Sequence, residues 1–593
     1  MSKFLTVIFV FLCFVSSLCA SERGLFLSLE KIGQKRDFIT EASVMQDEIE
    51  SKNKPGMLDL VSSVPGVLVS KAGSQIKSDA NIRGIGDSFR RIGLFVDGRP
   101  EKMSVYGCGV SQTLLSGNVE SVKIIKSPDS VLYGGDGFGG LINVKTAVPE
   151  KPFEGAASVS YGSHNTQNYF ANLGGRTNKI IYSAAVNKIS SDGHIKNAGY
   201  DANDYYARFG YRIDHKSELI ISGKYFTGEE MEPKSKKISG GMEAERWFVY
   251  DRGGADIRYN RDFDKADMEI MAYGDFGEHK FYDGWRSKDA MYGVNAHFSC
   301  EFFENNNLKY GAQYRLSDGK VIAGGPRKGE WKKYEFAFFA LDELEISRKT
   351  KAFAGMRFNY DEISGSAFVP RAGLSYDITG FLAARAVYSR GFRPPYINEL
   401  YTLPSSNKNL EAEYQNNYEI GLNSKYLDAD FDITGFVING DNIIRPPAKM
   451  PGKFSNSGGY VFKGIELSAA KEIGKKLKFF AGYSYLDPDN KTRGIAKNKI
   501  DLSADCKIGK FSLHAGGMFL IDYYADDKEK VKLEDFNVFN AKIHYNIDDN
   551  FTIFAAADNF TAQKYEMYMV SFGRAGIYEM PAATYTAGAK YKF

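Results

Sequence analysis

The last eleven residues, Ala583-Thr584-Tyr585-Thr586-Ala587-Gly588-Ala589-Lys590-Tyr591-Lys592-Phe593, alternate between two kinds of side chain. In an extended strand the apolar and aromatic ones share one face, and threonine, glycine and lysine share the other. The pattern continues to the final aromatic residue, although most chains fray at their ends. A closed membrane barrel ends in this way, because an unpaired strand edge in lipid is costly. A soluble sheet fits this stretch equally well, so the rest of the chain decides.

The same alternation fills the chain from about residue 151. One face of a typical segment carries apolar or aromatic side chains and the other carries charges, as in Tyr205, Ala207, Phe209 and Tyr211 against Tyr206, Arg208, Gly210 and Arg212. Such a division is typical of a barrel wall with lipid on one side and a water-filled lumen on the other. About 440 residues of this pattern are too many for an ordinary β-sandwich.

The breaks between these segments alternate in length. Short polar turns are predicted at Asp214–Glu218, Ile473–Leu477 and Ile547–Asn550, and long outward loops at Thr227–Glu245, Ser317–Lys333, Asp487–Asn498 and Asp522–Asp535. This asymmetry is typical of outer-membrane barrels. At roughly 20 residues per strand and connection, residues 149–593 hold about 22 antiparallel strands, a size at which barrels carry a plug. The predicted fold is an all-β transmembrane barrel.

The first part of the chain has a different character. Residues 1–20 are predicted to be a signal peptide, because the apolar run Phe4–Val15 follows Lys3 and small residues stand near the cut. Residues 37–148 mix a helix-like start with glycine-rich turns and short strands, which predicts a compact α+β domain.

Cys108, Cys300 and Cys506 would remain after cleavage, and an odd, scattered set argues against a disulfide scaffold. The net charge of +3 is far from the strongly basic charge that is typical of nucleic-acid-binding proteins.

A series of short sequence motifs runs through both the amino-terminal domain and the barrel region. Residues 55–148 resemble the plug of TonB-dependent outer-membrane receptors through Met57–Val61, Val64–Val67, Asn81–Gly86, Leu94–Pro100, Val119–Lys126, Ser127–Gly134 and Gly139–Val144. The barrel resembles the same family through Gly391–Pro395, Glu399–Tyr401, Asn407–Glu413, Gly464–Glu466, Asp558–Phe560 and Lys564–Tyr565. The resemblance covers nearly the whole mature chain. It implies that the α+β domain fills the barrel lumen.

The resemblance also implies active transport energised by TonB and its inner-membrane complex. TonB would grip a segment within residues 21–36, and Leu25-Phe26-Leu27-Ser28-Leu29 suits pairing as an added strand. The barrel would lie monomeric among outer-membrane lipids, with both termini in the periplasm and no nucleic-acid partner. A passive porin is the alternative from another class, although it would lack a plug.

An enzyme is not expected. Gly135–Gly140 has the spacing of a dinucleotide fingerprint, but Leu141–Thr146 alternates as a strand, so the required helix does not follow. We find no Gly-x-Ser-x-Gly elbow, and the seven histidines form no motif. The chain also has no phosphate-cradling Gly-Lys-Ser/Thr motif with which to power itself.

Ligand contacts in the family come from plug apex loops and outer barrel loops. The apex candidates are Ser70–Ser78 and Glu101–Gln112, with Lys71, Ser74, Gln75, Lys77, Lys102, Met103, Tyr106 and Gln112 as the proposed ligand-binding residues. The three lysines suit an anion, which slightly favours a ferric siderophore, a small metal chelate. No resident cofactor is expected.

Two other ligands remain open. Cobalamin fits a barrel this compact, and cobalamin receptors bind Ca²⁺ through aspartates in an early loop, where Asp192, Asp201 and Asp204 are candidates. Haem is less favoured, because Tyr396–Ser406 and the plug contain no histidine to supply axial ligands.

Overall fold

The computed structural model describes residues 40–52, 54–86, 89–238, 244–447, 451–474, 476–571 and 574–593. The predicted signal peptide and the predicted TonB segment Leu25–Leu29 lie outside these ranges. Within them, every helix is too short or too polar to span a lipid bilayer.

The amino-terminal elements form a small mixed domain. They are β1 (Glu41–Met45), α1 (Gln46–Lys52), α2 (Met57–Val61), β2 (Val67–Lys71), β3 (Ser78–Ile82), β4 (Gly93–Val96), β5 (Arg99–Pro100), β6 (Val119–Ile125), α3 (Ser130–Tyr133) and β7 (Leu141–Thr146). Five strands make a sheet in the order β1-β6-β7-β4-β5, and β2 pairs with β3 in a hairpin. The apolar faces meet in a core that includes Met57, Leu60, Val122 and Ile142.

The strand β7 confirms the rejection of the dinucleotide motif. It follows Gly135–Gly140 directly, so no helix amino terminus receives a pyrophosphate there.

The remaining chain forms long antiparallel strands. Their bounds are β8 (Glu154–Gly162), β9 (Thr166–Arg176), β10 (Ile180–Ser191), β11 (Tyr200–Arg212), β12 (Ser217–Glu232), β13 (Arg246–Asp262), β14 (Ala266–Phe281), β15 (Arg286–Cys300), β16 (Asn306–Ala323), β17 (Gly329–Ser347), β18 (Thr350–Asp361), β19 (Gly365–Thr379), β20 (Leu382–Arg393), β21 (Glu413–Tyr426), β22 (Ala429–Asp441), β23 (Ile444–Arg445), β24 (Ser455–Asn456), β25 (Tyr460–Ile473), β26 (Leu477–Asp487), β27 (Ile495–Ile508), β28 (Phe511–Tyr524), β29 (Phe536–Asn546), β30 (Phe551–Asp558), β31 (Glu566–Ser571), β32 (Arg574–Glu579) and β33 (Thr584–Lys592).

Twenty-two of these strands close into one barrel, which confirms the predicted fold. Closure is made by the last strand, β33, which pairs with β30 on one side and with β8 on the other. Phe593 and Gly155 exchange two backbone hydrogen bonds of 3.0 and 3.1 Å at this seam. The short strands β23 and β24 pair in a small sheet, and β31 and β32 form a second hairpin within a long loop.

The wall has the predicted polarity. On β11 the aromatic residues Tyr205, Phe209 and Tyr211 are exposed on the outside. Arg208, on the other face, points into the lumen and pairs with Asp97 of the plug at 3.1 Å.

The barrel has two unlike ends. The short-turn end carries two- to five-residue turns such as 427–428 and 301–305, and the long-loop end carries connections such as 394–412 and 559–583. The predicted loop Ser317–Lys333 was wrong, because Ser317 pairs with Lys333 and the strands continue to a connection of only residues 324–328. Polar residues there mark strands that continue past the lipid rather than a loop.

Candidate ligand-binding and coupling site

A buried charge cluster joins the plug to the wall. Arg83 of the plug lies between two barrel carboxylates, with Nη1 2.8 Å from Glu419 Oε1 and Nε 2.9 Å from Glu466 Oε1. Lys126 Nζ adds a contact of 2.7 Å to Glu466, and Thr40 Oγ1 donates to Glu419 at 2.5 Å. All of these side chains are buried, so the cost of removing each charge from water must be offset by its ion-pair partner.

Local backbone conformation makes this cluster possible. Gly66 has φ +79°, and a Cβ there would collide with the carboxylate of Glu466. The Val64-Pro65-Gly66 turn therefore needs its glycine to let the barrel carboxylate approach the plug. Arg83 and Glu466 both lie in motifs of the sequence, Asn81–Gly86 and Gly464–Glu466, but neither motif by itself indicates that the two side chains pair.

A second ion cluster ties the long 394–412 loop to the wall. Arg393 lies between Glu399 at 3.0 Å and Glu413 at 2.9 Å. The plug residue Arg91 reaches the same Glu413 at 2.7 Å. The Gly391–Pro395 motif thus anchors a loop of the long-loop end both to β21 and to the plug.

The first predicted apex loop is held by β12. Lys77 Nζ lies 2.6 Å from Glu232 and 3.2 Å from Glu230, and stands over the ring of Phe248. Gln112 donates to Glu230 at 2.8 Å, and Ser74 Oγ accepts from the Lys77 amide at 3.2 Å. Lys77 and Gln112 are therefore buried contacts between plug and wall, and Ser74 is buried within the plug.

The other two predicted lysines are also matched by carboxylates. Lys71 Nζ lies 2.7 Å from Asp59, and Lys102 pairs with Asp136. Met103 is buried in an apolar cluster. The structure thus gives all three lysines carboxylate partners and does not present them to an anion.

The predicted residue Tyr106 remains half-exposed near the long-loop end. Its ring packs on Trp285, with centroids 5.7 Å apart, and its carbonyl accepts from Arg90 Nε at 3.1 Å. Trp285 is 6% exposed, and its Nε1 finds no acceptor among the described residues. A buried donor without an acceptor is uncommon in folded proteins and marks this position as one that a water or a ligand group could complete.

A second aromatic pair lies beside the first. Trp331 stacks on Tyr401 with centroids 6.2 Å apart, and Lys408 Nζ stands 5.4 Å over the same tyrosine ring. Arg327 Nη1 donates to the Tyr401 carbonyl at 3.1 Å. We call Tyr106, Trp285, Trp331 and Tyr401, with the cations Arg90, Arg327 and Lys408, the aromatic rim. Sequence reasoning found only Tyr106 of this set.

The three calcium candidates do not meet. Asp192 lies in the 192–199 connection, whereas Asp201 and Asp204 lie on β11. Asp201 is outside the wall beside Lys188 at 3.0 Å, and Asp204 is inside, 3.5 Å from Lys224. Residues three apart in a strand face opposite sides. The structure therefore does not bring the three aspartates together at one place.

A polar cavity of about 1890 Å³ runs between the plug and the wall. Its lining extends from Lys592 at the short-turn end to Ser163 at the long-loop end, and it includes the predicted Gln75. At the short-turn end, Glu50 of α1 contacts Lys590 at 2.9 Å and Lys592 at 3.1 Å. Burial raises the pKa of Glu50, but the two ammonium groups outweigh it and bring that pKa to about 2.

Two family models match the two parts of this architecture. Residues 35–141 match the family model of the TonB-dependent receptor plug domain, and residues 151–560 match that of the TonB-dependent receptor-like β-barrel. The chain belongs to the TonB-dependent receptors. As a member of this family it is an outer-membrane transporter that binds a ligand and works with TonB, and it is not an enzyme.

Individual relatives of this receptor differ in ligand. The vitamin B12 transporter BtuB of Photobacterium profundum is 24% identical over 93% of this chain and 92% of its own. The ferric yersiniabactin uptake receptor FyuA of Yersinia pestis superposes with a TM-score of 0.80 at 13% identity, over 94% of this chain and 98% of its own. The siderophore receptor PirA of Acinetobacter baumannii has the same TM-score and identity, over 96% and 100%. The two structures establish the fold alone.

Proposed function

We propose that this receptor imports an anionic ferric siderophore across the outer membrane. In this proposal the long loops face the medium, and the short turns and both termini face the periplasm. TonB pairs with Leu25–Leu29, and no second subunit is required.

The observation that carries the proposal is the aromatic rim. The half-exposed rings of Tyr106, Trp331 and Tyr401 provide stacking surface for an aromatic chelate. The buried Trp285, packed on Tyr106, adds an Nε1 donor that has no protein acceptor among the described residues. Arg90, Arg327 and Lys408 stand at these rings, so the surface joins positive charge to aromatic area. Such a combination suits a negatively charged metal complex with ring-bearing arms.

Cobalamin is the second candidate. It is favoured by the similarity to BtuB, which extends over nearly the full length of both chains. Cobalamin has large apolar faces that would use the same rings. It lacks the strong negative charge that would engage the rim cations.

The aromatic rim makes a direct test possible, because the chain has only three tryptophans and Trp285 and Trp331 are two of them. The third, Trp247, is exposed on the outside of the wall. We would titrate the refolded receptor with a ferric catecholate siderophore and, separately, with cyanocobalamin, and follow tryptophan fluorescence.

Saturable quenching by the iron complex is expected. Trp285→Phe and Trp331→Phe should each reduce its amplitude, and Arg327→Ala should weaken binding by about tenfold, as a charge-assisted contact predicts. Trp247→Phe is the matched control and should leave the affinity unchanged. Saturation by cyanocobalamin alone would instead establish the second candidate, and quenching that depends on Trp247 would remove the aromatic rim as the site.

A further inference from the structure

Two histidines meet at the long-loop end, away from the aromatic rim. His164 lies in the connection between β8 and β9, and His194 lies in that between β10 and β11. Their ring centroids are 6.3 Å apart, and both side chains are half-exposed. The two connections are tied together, because the Asp192 amide donates to the His164 carbonyl at 3.0 Å. Backbone hydrogen bonding between neighbouring hairpins therefore holds the two histidines near each other.

The ring of His194 is held in one tautomer. Its Nε2 lies 3.0 Å from the carbonyl oxygen of Glu579, which can only accept, so Nε2 carries the proton and Nδ1 keeps its lone pair. A neutral imidazole oriented by a backbone carbonyl is the form in which histidine binds a metal.

The spacing of the rings suits one shared ion. Metal–nitrogen bonds are about 2.0–2.1 Å, and a ring nitrogen stands about 1 Å from the ring centre, so two imidazoles on one ion have centroids at most about 6 Å apart. The observed 6.3 Å lies just beyond the limit for a straight N–metal–N arrangement, and a tetrahedral angle would bring the centroids to about 5 Å, so binding requires the two connections to approach each other by about 1 Å. Among the described residues no group of three or more His, Cys, Asp or Glu side chains is placed to hold a metal ion, so water would fill the remaining positions.

The pair stands at the end of the wall cavity. Ser163 and Thr166, which flank His164, both line this cavity, and so do Ser160 and Thr584. Hydroxyl groups of this kind can replace water around a cation as it leaves the histidines. The cavity continues to the short-turn end at Lys592.

We propose that His164 and His194 form a second ligand site, for a divalent transition cation of the Zn²⁺, Ni²⁺ or Cu²⁺ class, at the long-loop mouth of the wall cavity. Imidazole nitrogen selects these ions over Mg²⁺ and Ca²⁺, which prefer oxygen. The site is separate from the aromatic rim, and it does not depend on the identity of the chelate bound there.

The test is titration of the full-length receptor in detergent micelles with NiCl₂, ZnCl₂ and CuCl₂, followed by calorimetry. We expect one equivalent to bind, with both His164→Ala and His194→Ala weakening the affinity at least tenfold. Electron paramagnetic resonance of the Cu²⁺ complex should show two nitrogen ligands in the wild type and one in each variant. His215→Ala is the matched control, because His215 is exposed in a short turn at the opposite end.

Circular dichroism of each variant checks that the barrel is folded. Binding that is unchanged in both variants, or lost equally in His215→Ala, overturns the proposal. Haemin is titrated in parallel. A complex of haemin that needs both histidines, with no binding of the bare ions, would overturn the assignment to a free cation.

Discussion

The hydroxyl of Thr40 donates a 2.5 Å hydrogen bond to Glu419, a barrel residue 379 positions later in the chain. Thr40 comes immediately before β1, which lies at the edge of the plug sheet and pairs with β6. The same barrel carboxylate holds Arg83. A pull from the amino-terminal side therefore reaches the Thr40–Glu419 bond before it reaches the five residue pairs between β1 and β6.

Loss of the Thr40 hydroxyl should ease extraction of the plug. In Thr40→Val, Glu419 keeps its bonds to Arg83 and Asn417, so we expect a loss of about 1.5–3 kcal/mol, as for a hydrogen bond to a charged group. Single-molecule pulling from the amino terminus measures it as a lower force for the first extension step. Ser43→Ala, on an exposed position of β1, is the control, and equal forces for Thr40→Val and wild type would contradict the prediction.

Replacement of Arg83 should destabilise the plug strongly. Arg83→Met leaves Glu419 and Glu466 as buried carboxylates that have lost their central cation, a change that costs about 3–5 kcal/mol. Because a loosened plug opens the lumen, we expect increased ion conductance of the receptor in planar bilayers. The triple variant with Glu419→Gln and Glu466→Gln removes the unpaired charges and should recover much of the lost stability. A triple variant as leaky as the single one would show that charge pairing is not the cause.

The contact of Glu50 with Lys590 and Lys592 should weaken in acid. The pKa of Glu50 is about 2 in the folded state, below the ordinary value of about 4.3, so its contribution is complete above about pH 4.3 and is lost as the pH falls through 2. The side chain is 34% exposed, and solvent screening limits the effect to about 1 kcal/mol.

Hydrogen exchange of the α1 amides, corrected for intrinsic rates, measures this effect. Protection in the wild type should be constant from pH 7 to about 4.3 and then decline. Glu50→Gln should start lower and stay flat over the same range. A parallel decline in both proteins would assign the pH dependence to other groups.

A charge on the lipid face of the closing strand should be costly. Ala587 is exposed on the outside of β33 near its middle, so Ala587→Arg should lower the free energy of unfolding by about 2–4 kcal/mol. Urea titration of the receptor in lipid vesicles measures it. The companion Tyr591→Arg, at the end of the strand, should cost less, because charge is tolerated near the interface. Equal costs would place both residues at the same depth.

Much of the architecture could be predicted from short-range pattern. The alternation around Tyr205 and Arg208 has the period of a strand, and it correctly indicated which face meets lipid and which meets the lumen. The motifs from Met57 to Val144 identified the plug for the same reason, since turn glycines and strand residues act locally. The error at Ser317–Lys333 arose because strands that extend into water resemble loops in composition.

The two-residue period of a strand also argues against a calcium site shared by these aspartates. Asp201 and Asp204 are three residues apart, and β11 places them on opposite sides of the wall. The prediction places them in a loop, where no such rule applies.

The sequence by itself determined the strand pattern and the order of plug and barrel, because both depend on residues close together in the chain. Only the tertiary structure decided which polar groups are available. Lys77 was a candidate for an anionic ligand until the fold placed Glu230 and Glu232 beside it. His164 and His194 formed no motif, yet the pairing of β9 with β10 brings their rings within 6.3 Å. Electrostatic partners are chosen by distance in space, and barrel closure joins residues that no local pattern relates.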